Sequence, residues 1–305
     1  MKILVAYPKW DNRWIPYFNK TLSRYDSRAI LSDDTTLNSV WSASRDADIL
    51  INMWADSITQ FWATYFKDKK IISYLRRFEF YADEWRTATK WENVDALIFV
   101  SEHIRKMFNK SLTKGKPKRT YFIPNAVDLE QFSFVEHDRK PTEIAFVCTA
   151  VIHKNIGLAV QVLQALPDEY HIHHIGRIHH RDVDVWNEYL KGLGLNDRWV
   201  WHGSIPAQQM PHWLADKDFI LSASITEGNP NNVIEGMACG LIPVVHNWPG
   251  AKDQFPFDHV YDTVEEAVDI IKNRCSDRIF HRKWVEEHYT LDNINKIHEV
   301  IKDIS

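Results

Sequence analysis

Short apolar runs alternate with amphipathic segments along the first part of the chain. We predict one helix at Trp14–Tyr25 and another in the sequence EHIRKMFNK, where the preceding Ser101 is suited to cap the first turn. The apolar runs predict strands at Met1–Tyr7, Ala47–Met53, Lys70–Tyr74, Asp95–Ser101 and Arg119–Pro124. Strands and helices in alternation are typical of a parallel sheet that is covered by helices.

The alternation restarts after a polar stretch, Phe132–Thr142, which we interpret as a domain boundary. Apolar residues recur with a helical period over Asn155–Leu166, and amphipathic helices are predicted over Arg282–Ile304. The predicted strands of this half are Glu143–Cys148, His171–Ile175 and Trp199–His202. We therefore predict an α/β protein with two Rossmann-like domains facing across a cleft. The cleft is the expected ligand site, because open α/β sheets bind ligands beyond the carboxyl ends of their strands.

The segment Ser222–Val245 predicts a strand, a tight loop, a short helix and a second strand. Asn229 is the predicted N-cap of the helix, with Pro230 at the first helical position, where its missing N–H is no loss. Gly240 is placed to end the helix in a left-handed conformation. The first backbone N–H groups of this helix are therefore expected to point out of the loop.

Two glutamates, Glu227 and Glu235, lie in this segment with seven residues between them. We expect Glu227 at the mouth of the loop and Glu235 about one turn inside the helix. A helix N-terminus attracts anions, phosphate above all. An anion site between two carboxylates suits a ligand that has both phosphate and hydroxyl groups, such as a nucleotide sugar. A capped β-α-β unit with solvated glutamates is the alternative for this pair alone.

Composition narrows the class of protein. A chain of 305 residues suggests two domains, and a formal net charge of -4 gives no overall attraction to nucleic acid. Three cysteines are too few for a disulfide framework and favour a reducing compartment. The start, MKILVAYPKW, lacks the pattern of a signal peptide, and no apolar run approaches the ~18 residues of a membrane span. We predict a cytoplasmic protein that does not bind nucleic acid.

Three single residues are candidate ligand contacts. Lys154 follows the predicted strand Glu143–Cys148 and is placed to neutralise phosphate, with a solvated lysine as the alternative. Gly176 and Gly203 each end a predicted strand. Glycine at such a position lets the backbone approach a ligand, or simply makes the turn.

Histidines and basic residues form two further clusters. Because strand side chains alternate between faces, the histidines do not converge, and we predict no metal site from His171, His173, His174, His179 and His180. The basic run Lys114–Arg119 predicts a solvated loop, with contact to anionic lipid at the inner face of a membrane, or to a charged glycan, as the alternative.

Taken in order, the motifs of residues 95–300 resemble glycosyltransferases of the GT-B fold that are grouped as glycosyltransferase family 4. The resemblance lies mainly in the donor-binding domain of that family. Its most specific part is the pair of glutamates with seven residues between them, followed by the alanine, glycine and proline of MACGLIPVV. The segments that carry it are FIPNAVDLEQF, HKNIGLAVQVL, HIHHIG, WVWHGSIPAQQMPHWLADKDFILSAS and TEGNPNNVIEGMACGLIPVVHNWPGAKD.

The resemblance implies a retaining transferase that needs no metal or other cofactor. Such an enzyme moves a sugar from a nucleotide-diphosphate donor to a glycan, lipid-linked or small-molecule acceptor, as in polysaccharide biosynthesis. It implies that Glu235 binds the ribose, that Glu227 contacts the donor sugar near the reacting carbon, and that Lys154 neutralises the leaving diphosphate. The sugar and diphosphate would be held by Gly228, Asn229, Asn231, Asn232 and Val233, and the base by Gly203, Ser204 and Ile205.

The resemblance also implies the division of the chain. We expect an acceptor-binding domain at residues 1–134, a donor-binding domain at residues 135–285, and a last helix at residues 286–305 that crosses back to the first domain.

Three departures from the family pattern stand out. Thr149 occupies the position of an expected phosphate-binding arginine, for which Arg177 is a candidate substitute. The first strand leads into AYPKWDNRW, which has no glycine. Where the family often has a histidine near the acceptor, this chain has Arg76, Arg77 and Glu79, which suit a charged acceptor or a purely structural role. These departures keep open a nucleotide- or glycan-binding protein without transfer, and an epimerase or phosphorylase of the same fold.

Overall fold

The computed structural model describes residues 1–8, 13–32, 37–112, 114–273 and 278–305. These residues form two compact units, Met1–Ala126 with Leu291–Ser305, and Val127–Thr290. The loop AYPKWDNRW lies in part outside the described residues, as does Cys275. In the described part of the chain, no helix is both long and apolar enough to cross a bilayer.

The first unit contains a parallel sheet of six strands within the described residues. The strand order is β2-β1-β3-β4-β5-β6, and the strands are β1 Lys2–Pro8, β2 Asp26–Ser32, β3 Ile49–Asn52, β4 Lys70–Leu75, β5 Ala96–Phe99 and β6 Arg119–Phe122. The helices between them are α1 Ile15–Thr21, α2 Leu37–Arg45, α3 Ser57–Tyr65, α4 Arg77–Tyr81, α5 Asp83–Ala88 and α6 Glu102–Ser111. Side chains alternate between the two faces of the sheet, so that Ile3 and Val5 pack with α1, whereas Leu4 packs with α2, α3 and α6.

The second unit repeats this architecture with a different strand order, β12-β11-β10-β7-β8-β9. Its strands are β7 Glu143–Val147, β8 His171–Ile175, β9 Trp199–Gly203, β10 Phe219–Ser222, β11 Ile242–His246 and β12 Val260–Tyr261. Its helices are α7 Ile156–Ala165, α8 Val183–Gly192, α9 Met210–Ala215, α10 Asn231–Ala238, α11 Val264–Asn273 and α12 Arg278–His288. The chain then returns to the first unit in α13 Asp292–Asn295 and α14 Ile297–Ile304.

The division between the units falls earlier than the polar stretch Phe132–Thr142. Phe132 is 7% exposed and packs in the core of the second unit. Arg139 donates to the fully buried carboxylate of Asp218 at 2.9 Å, which also accepts from the backbone N–H of Thr142. The unit therefore begins at Val127 rather than after residue 134, because apolar and charged contacts on both sides of the stretch tie it to the second sheet.

Two buried histidines of the second unit predict sensitivity to acid. Burial lowers the pKa of His174 to about 4 and that of His281 to about 3. In the unfolded chain both titrate near pH 6.5, so between pH 6.5 and 4 the unfolded state binds more protons and the free energy of unfolding falls as the pH falls. We expect a loss of about 1.4 kcal/mol per pH unit for each histidine.

Urea unfolding of the wild type and of His281→Asn at several pH values checks this slope. In the difference between their free energies of unfolding, the contributions of the other titrating groups cancel. This difference should shrink steadily as the pH is lowered. A difference that is constant from pH 7 to pH 4 would contradict the assignment.

Candidate functional site

The strand order of the second sheet reverses between β10 and β7. From β7 the chain adds β8 and β9 on one side, and then β10, β11 and β12 on the other. The loops that leave the carboxyl ends of β7 and β10 therefore diverge, and open a crevice at this switch point, which is where open α/β sheets bind ligands. Lys154 follows β7 and Glu227 follows β10, so the topology alone brings these predicted site residues to one place.

Lys154 and Glu227 are in direct contact. The Lys154 ammonium donates to Glu227 Oε1, and the two side chains are 19% and 10% exposed. Ser224 Oγ donates to the same carboxylate oxygen at 2.7 Å. The two loops are also joined through the backbone, since the Ile225 N–H donates to the His153 carbonyl at 2.9 Å. The pair is thus held in a largely desolvated setting, where its charges act strongly on a nearby ligand.

The helix after Glu227 starts later than predicted. Its N-cap is Pro230, and no described side chain makes a cap hydrogen bond there. Asn229 is not the N-cap, because its side chain is buried and donates to Gln254 Oε1 at 2.7 Å. Gln254 in turn donates to the Gly228 carbonyl at 2.9 Å. Asn229 therefore fixes the shape of the loop through its side chain.

The first turn of α10 contacts the end of β7. Asn231, Asn232 and Val233 are its first residues, and the first N–H groups of a helix have no partner within it. Asn232 ties this turn to β7, since its side chain donates to the Val147 carbonyl at 2.9 Å. Glu235 lies one turn further on and is half-buried. As predicted, Gly240 ends the helix in the left-handed region, at φ 89°.

Glycines bring the ends of β8 and β9 close to the loop after β7. Gly176 has φ 147°, and a Cβ there would lie 1.7 Å from the Cys148 carbonyl oxygen. Its N–H donates to the Gly203 carbonyl at 2.9 Å. At Gly203, which has φ 67°, a Cβ would meet no described atom within 4 Å. Gly203 thus lies beside Gly176 at the end of β9, and Gly203 and the following Ser204 are exposed, whereas Ile205 is half-buried.

The backbone of Arg177 lies beside the segment of Thr149 and Ala150. The Ala150 N–H, next to Thr149, donates to the Arg177 carbonyl at 2.7 Å. Thr149 is half-buried, whereas the Arg177 side chain is exposed. A cation thus follows the neighbouring strand β8 by two residues, and its backbone lies beside the position where the family's arginine was expected.

A buried histidine is hydrogen-bonded to the start of the loop after β7. His174 Nε2–H donates to the Cys148 carbonyl at 2.8 Å. Burial lowers the pKa of His174 to about 4, so its ring is neutral at pH 7, and burial raises the pKa of the Cys148 thiol to about 12. Neither group is suited to acid–base work at neutral pH, and both serve to hold the chain that carries Thr149.

A family model described as glycosyl transferases group 1 matches residues 128–289, more than half of the chain. The chain belongs to the group 1 glycosyl transferases. The matched region begins and ends within two residues of the second unit, Val127–Thr290, so this unit is the glycosyl transferase domain. A comparison with curated proteins finds no match.

Three solved structures resemble the whole of this group 1 glycosyl transferase. HepE from Anabaena, in complex with UDP, has a TM-score of 0.80 at 14% identity, with 99% of this chain and 100% of that chain covered. Sucrose-phosphate synthase from Thermosynechococcus elongatus has 0.79 at 12%, covering 100% and 99%. A glycosyltransferase from Rickettsia africae has 0.76 at 15%, covering 99% and 98%. At these identities the likeness shows the fold, and the predicted GT-B class with two Rossmann-like domains is confirmed.

The histidine cluster of this group 1 glycosyl transferase forms hydrogen bonds along the sheet. His173 lies 2.5 Å from Glu143 Oε2 through Nε2, and 3.0 Å from His202 Nε2 through Nδ1. His174 points to the opposite side and is buried among Phe146 and Trp199. Among the described residues, no group of three or more histidine, cysteine, aspartate or glutamate side chains could hold a metal ion.

The basic run Lys114–Arg119 is partly engaged by its own unit. Lys118 donates to Asp95 Oδ1 at 2.9 Å, and Arg119, which begins β6, donates to the Asp303 carbonyl. Lys114 and Lys116 are exposed. The run is therefore a solvated surface whose last two residues fasten the edge of the first sheet.

Several supporting residues of the site have no sequence signal of their own. Gln254 holds the loop at Gly228 and Asn229 from 25 and 26 residues away. His246 Nδ1 lies 2.8 Å from the Ser224 carbonyl. Ser224, in contrast, could have been predicted from the sequence, because it follows a strand at the switch point and precedes Glu227 by three residues.

Proposed function

We propose that the protein is a retaining glycosyltransferase, of the kind grouped as family 4, that uses a nucleotide-diphosphate sugar. The observation that carries the proposal is the pairing of Lys154 with Glu227 at the switch point of the glycosyl transferase domain. A cation, a carboxylate and a helix N-terminus surround one crevice there. These are the groups that a ligand with a diphosphate and sugar hydroxyls requires.

Lys154 would stabilise the leaving diphosphate. Without a donor, Lys154 is held by Glu227. A diphosphate carries more negative charge than one carboxylate and would draw the ammonium away. Glu227 would then keep its bond from Ser224, accept from a sugar hydroxyl and support positive charge at the reacting carbon. A preorganised cation aimed at the departing charge is the most effective form of such stabilisation.

The start of α10 would bind the rest of the donor. The backbone N–H groups of Gly228, Asn229, Asn231, Asn232 and Val233 are the proposed contacts for the sugar and the diphosphate. Asn231 Oδ1 is buried and has no partner among the described residues, so it is suited to accept from a sugar hydroxyl. Glu235 would accept from the ribose hydroxyls. We propose no metal for this chemistry, since Lys154 and the amides supply the charge stabilisation.

The base would lie along the segment of Gly203, Ser204 and Ile205, with Thr149 and Arg177 at the phosphate side. HepE has been solved with UDP and with UDP-glucose, which makes UDP the first nucleotide to test. The proposed acceptor is a glycan, a lipid-linked sugar or a small molecule, and the proposed location is the cytoplasm, with contact to the inner face of a membrane through the basic surface. Thr149 in place of a second cation favours, as the alternative, a protein that binds the donor without transferring it.

Thermal-shift measurement with UDP, GDP, ADP and dTDP tests donor binding. A nucleotide that binds only the folded state stabilises it by about 2.7 kcal/mol at a concentration 100 times its Kd. We expect one of the four to raise the Tm, and Glu235→Gln to weaken its binding by about tenfold or more, since a buried bond to a charged group is lost.

The exposed Glu188 of α8 provides the control, because Glu188→Gln removes the same charge from the same unit away from the crevice. Equal weakening by the two variants, or no shift with any nucleotide, would refute the donor site.

A further inference from the structure

The peptide group between Ser224 and Ile225 is hydrogen-bonded through both its N–H and its carbonyl. The N–H, that of Ile225, donates to the His153 carbonyl at 2.9 Å. The carbonyl, that of Ser224, lies 2.8 Å from His246 Nδ1. His153 directly precedes Lys154 in the loop after β7, and His246 is the last residue of β11. This peptide group of the loop after β10 is therefore joined to the loop after β7 and to the end of β11, the two strands that flank β10.

The contact with Ser224 determines where the proton of the His246 ring lies. A carbonyl oxygen only accepts hydrogen bonds, so Nδ1 carries a proton and donates it to Ser224. Among the described residues, this is the only hydrogen bond of the ring. The half-buried ring also packs against the fully buried ring of Tyr261, with 5.4 Å between the ring centroids. Because this packing restricts the orientation of the imidazole, the Nδ1–H is held toward the loop after β10.

Ser224 connects the same peptide group to the ion pair of the crevice. Its Oγ donates to Glu227 Oε1 at 2.7 Å, and the Lys154 ammonium donates to the same oxygen. Ser224 is 3% exposed, so its hydroxyl is shielded from competing water. Hydrogen bonds therefore link His246 to Glu227 through Ser224, and they link His153, the chain neighbour of Lys154, to the same peptide group. A displacement of this peptide group would move the two members of the ion pair relative to each other.

We propose that His246 is a positioning residue of the donor site, which fixes the geometry of Glu227 and Lys154 by holding the Ser224–Ile225 peptide group. The inference rests on the proposed function, which assigns the donor sugar to Glu227 and the leaving diphosphate to Lys154. It goes beyond that function by adding a residue from β11, the strand on the far side of β10 from Lys154. Small displacements matter at such a site, because a shift of about 1 Å can lower a rate by about 10²-fold.

A double-mutant cycle between Lys154→Ala and Glu227→Gln tests the positioning role without any donor. Urea unfolding of the wild type, the two single variants and the double variant gives the coupling between the two side chains. The cycle is then repeated in His246→Phe, which keeps a ring beside Tyr261, and in His246→Ala, which adds no bulk. Both remove the Nδ1–H, so we expect the coupling to fall to about half or less in each background.

His246→Asn is the conservative control. Its side-chain amide, like Nδ1 of histidine, places an N–H donor at the δ position, so the coupling should stay close to that of the wild type. Asn247→Ala, at the next residue, removes a hydrogen bond to Asp262 and should also leave the coupling unchanged. Wild-type coupling in His246→Phe and His246→Ala, or equal loss of coupling in His246→Asn, would overturn the proposal.

Sugar transfer supplies a second readout. His246→Phe should lower kcat by about tenfold to 10²-fold, whereas His246→Asn should stay within about threefold of the wild type. The Kd of the nucleoside diphosphate alone should change by less than about twofold in His246→Phe, since the diphosphate, unlike the sugar, makes no proposed contact with Glu227. An unchanged kcat in His246→Phe would refute the positioning role, as would an equal loss of kcat in His246→Asn.

The two readouts distinguish a failure of this inference from a failure of the proposed function. Coupling that depends on His246, in a protein that transfers no sugar, would refute the proposed function and leave the positioning role standing. Sugar transfer that depends on Lys154 and not on His246 would leave the proposed function standing and refute the positioning role.

Discussion

Replacement of Lys154 by alanine is expected to lower the turnover of sugar transfer by about 10²- to 10³-fold. Lys154 is the cation in contact with Glu227 at the switch point, and the departing diphosphate gains negative charge in the transition state. Removal of one preorganised group aimed at that charge has an effect of this size in other enzymes. The measurement is release of nucleoside diphosphate at saturating donor and acceptor.

An effect of Lys154→Ala on the stability of the protein has to be distinguished from its effect on turnover. Without Lys154, the carboxylate of Glu227 keeps its bond from Ser224 but loses its counter-ion in a nearly buried site, which lowers stability. The double variant Lys154→Ala with Glu227→Gln removes that charge and should regain Tm without regaining turnover. Lys191→Ala, an exposed lysine of α8, should match the wild type. Full turnover in a folded Lys154→Ala protein would exclude the role given to Lys154.

The second large effect is expected at Gly176. Gly176→Ala should lower the free energy of unfolding by more than about 3 kcal/mol, because two costs add. The residue has φ 147°, and its Cβ would lie 1.7 Å from the Cys148 carbonyl oxygen and 2.4 Å from the carbonyl carbon. Both atoms belong to the backbone that leads to Thr149, so the chain itself has to move.

Gly157 is the matched control for this substitution. It lies in the first turn of α7, and a Cβ there would meet no described heavy atom within 4 Å. Gly157→Ala should therefore leave the stability unchanged or raise it by up to ~1 kcal/mol. Urea unfolding of both variants checks the contrast, and a Gly176→Ala protein as stable as Gly157→Ala would contradict the close approach of β8 to the loop after β7.

Much of the sheet architecture could be predicted because its strands are apolar on both faces. Ile49–Asn52 and Ala96–Phe99 are fully buried strands, and runs of this kind stand out in the sequence. The strand Asp26–Ser32 was missed. It is the edge of its sheet and pairs only with β1 among the described strands, so polar residues such as Asp26 and Arg28 interrupt its apolar pattern.

The site was predictable where a motif is continuous and unpredictable where distant residues build it. Glu227, Glu235 and Gly240 lie within one segment whose spacing identified them. The prediction that Asn229 is the N-cap was wrong. Local rules favour asparagine as an N-cap, but the Asn229 side chain donates instead to Gln254, which lies 25 residues away in the chain. No local pattern encodes that partner, because the contact depends on how the second unit packs as a whole.

The boundary between the two units could not be predicted from local composition either. A charged and polar stretch is the usual sign of a linker, and Phe132–Thr142 has that composition. The stretch is nevertheless part of the second unit and not a linker. Arg139 and the N–H groups of Thr142 and Glu143 all donate hydrogen bonds to the buried carboxylate of Asp218. Only the folded structure shows that these polar residues satisfy a buried charge of the second unit.

Transfer of a labelled sugar from its nucleotide donor, with the linkage of the product determined by NMR, tests the central claim most directly. The account predicts one nucleoside diphosphate released for each acceptor glycosylated, with the anomeric configuration of the donor kept, and with both products lost in Lys154→Ala and in Glu227→Gln. A product of inverted configuration, or transfer that survives both substitutions, would contradict the proposed donor site and its chemistry.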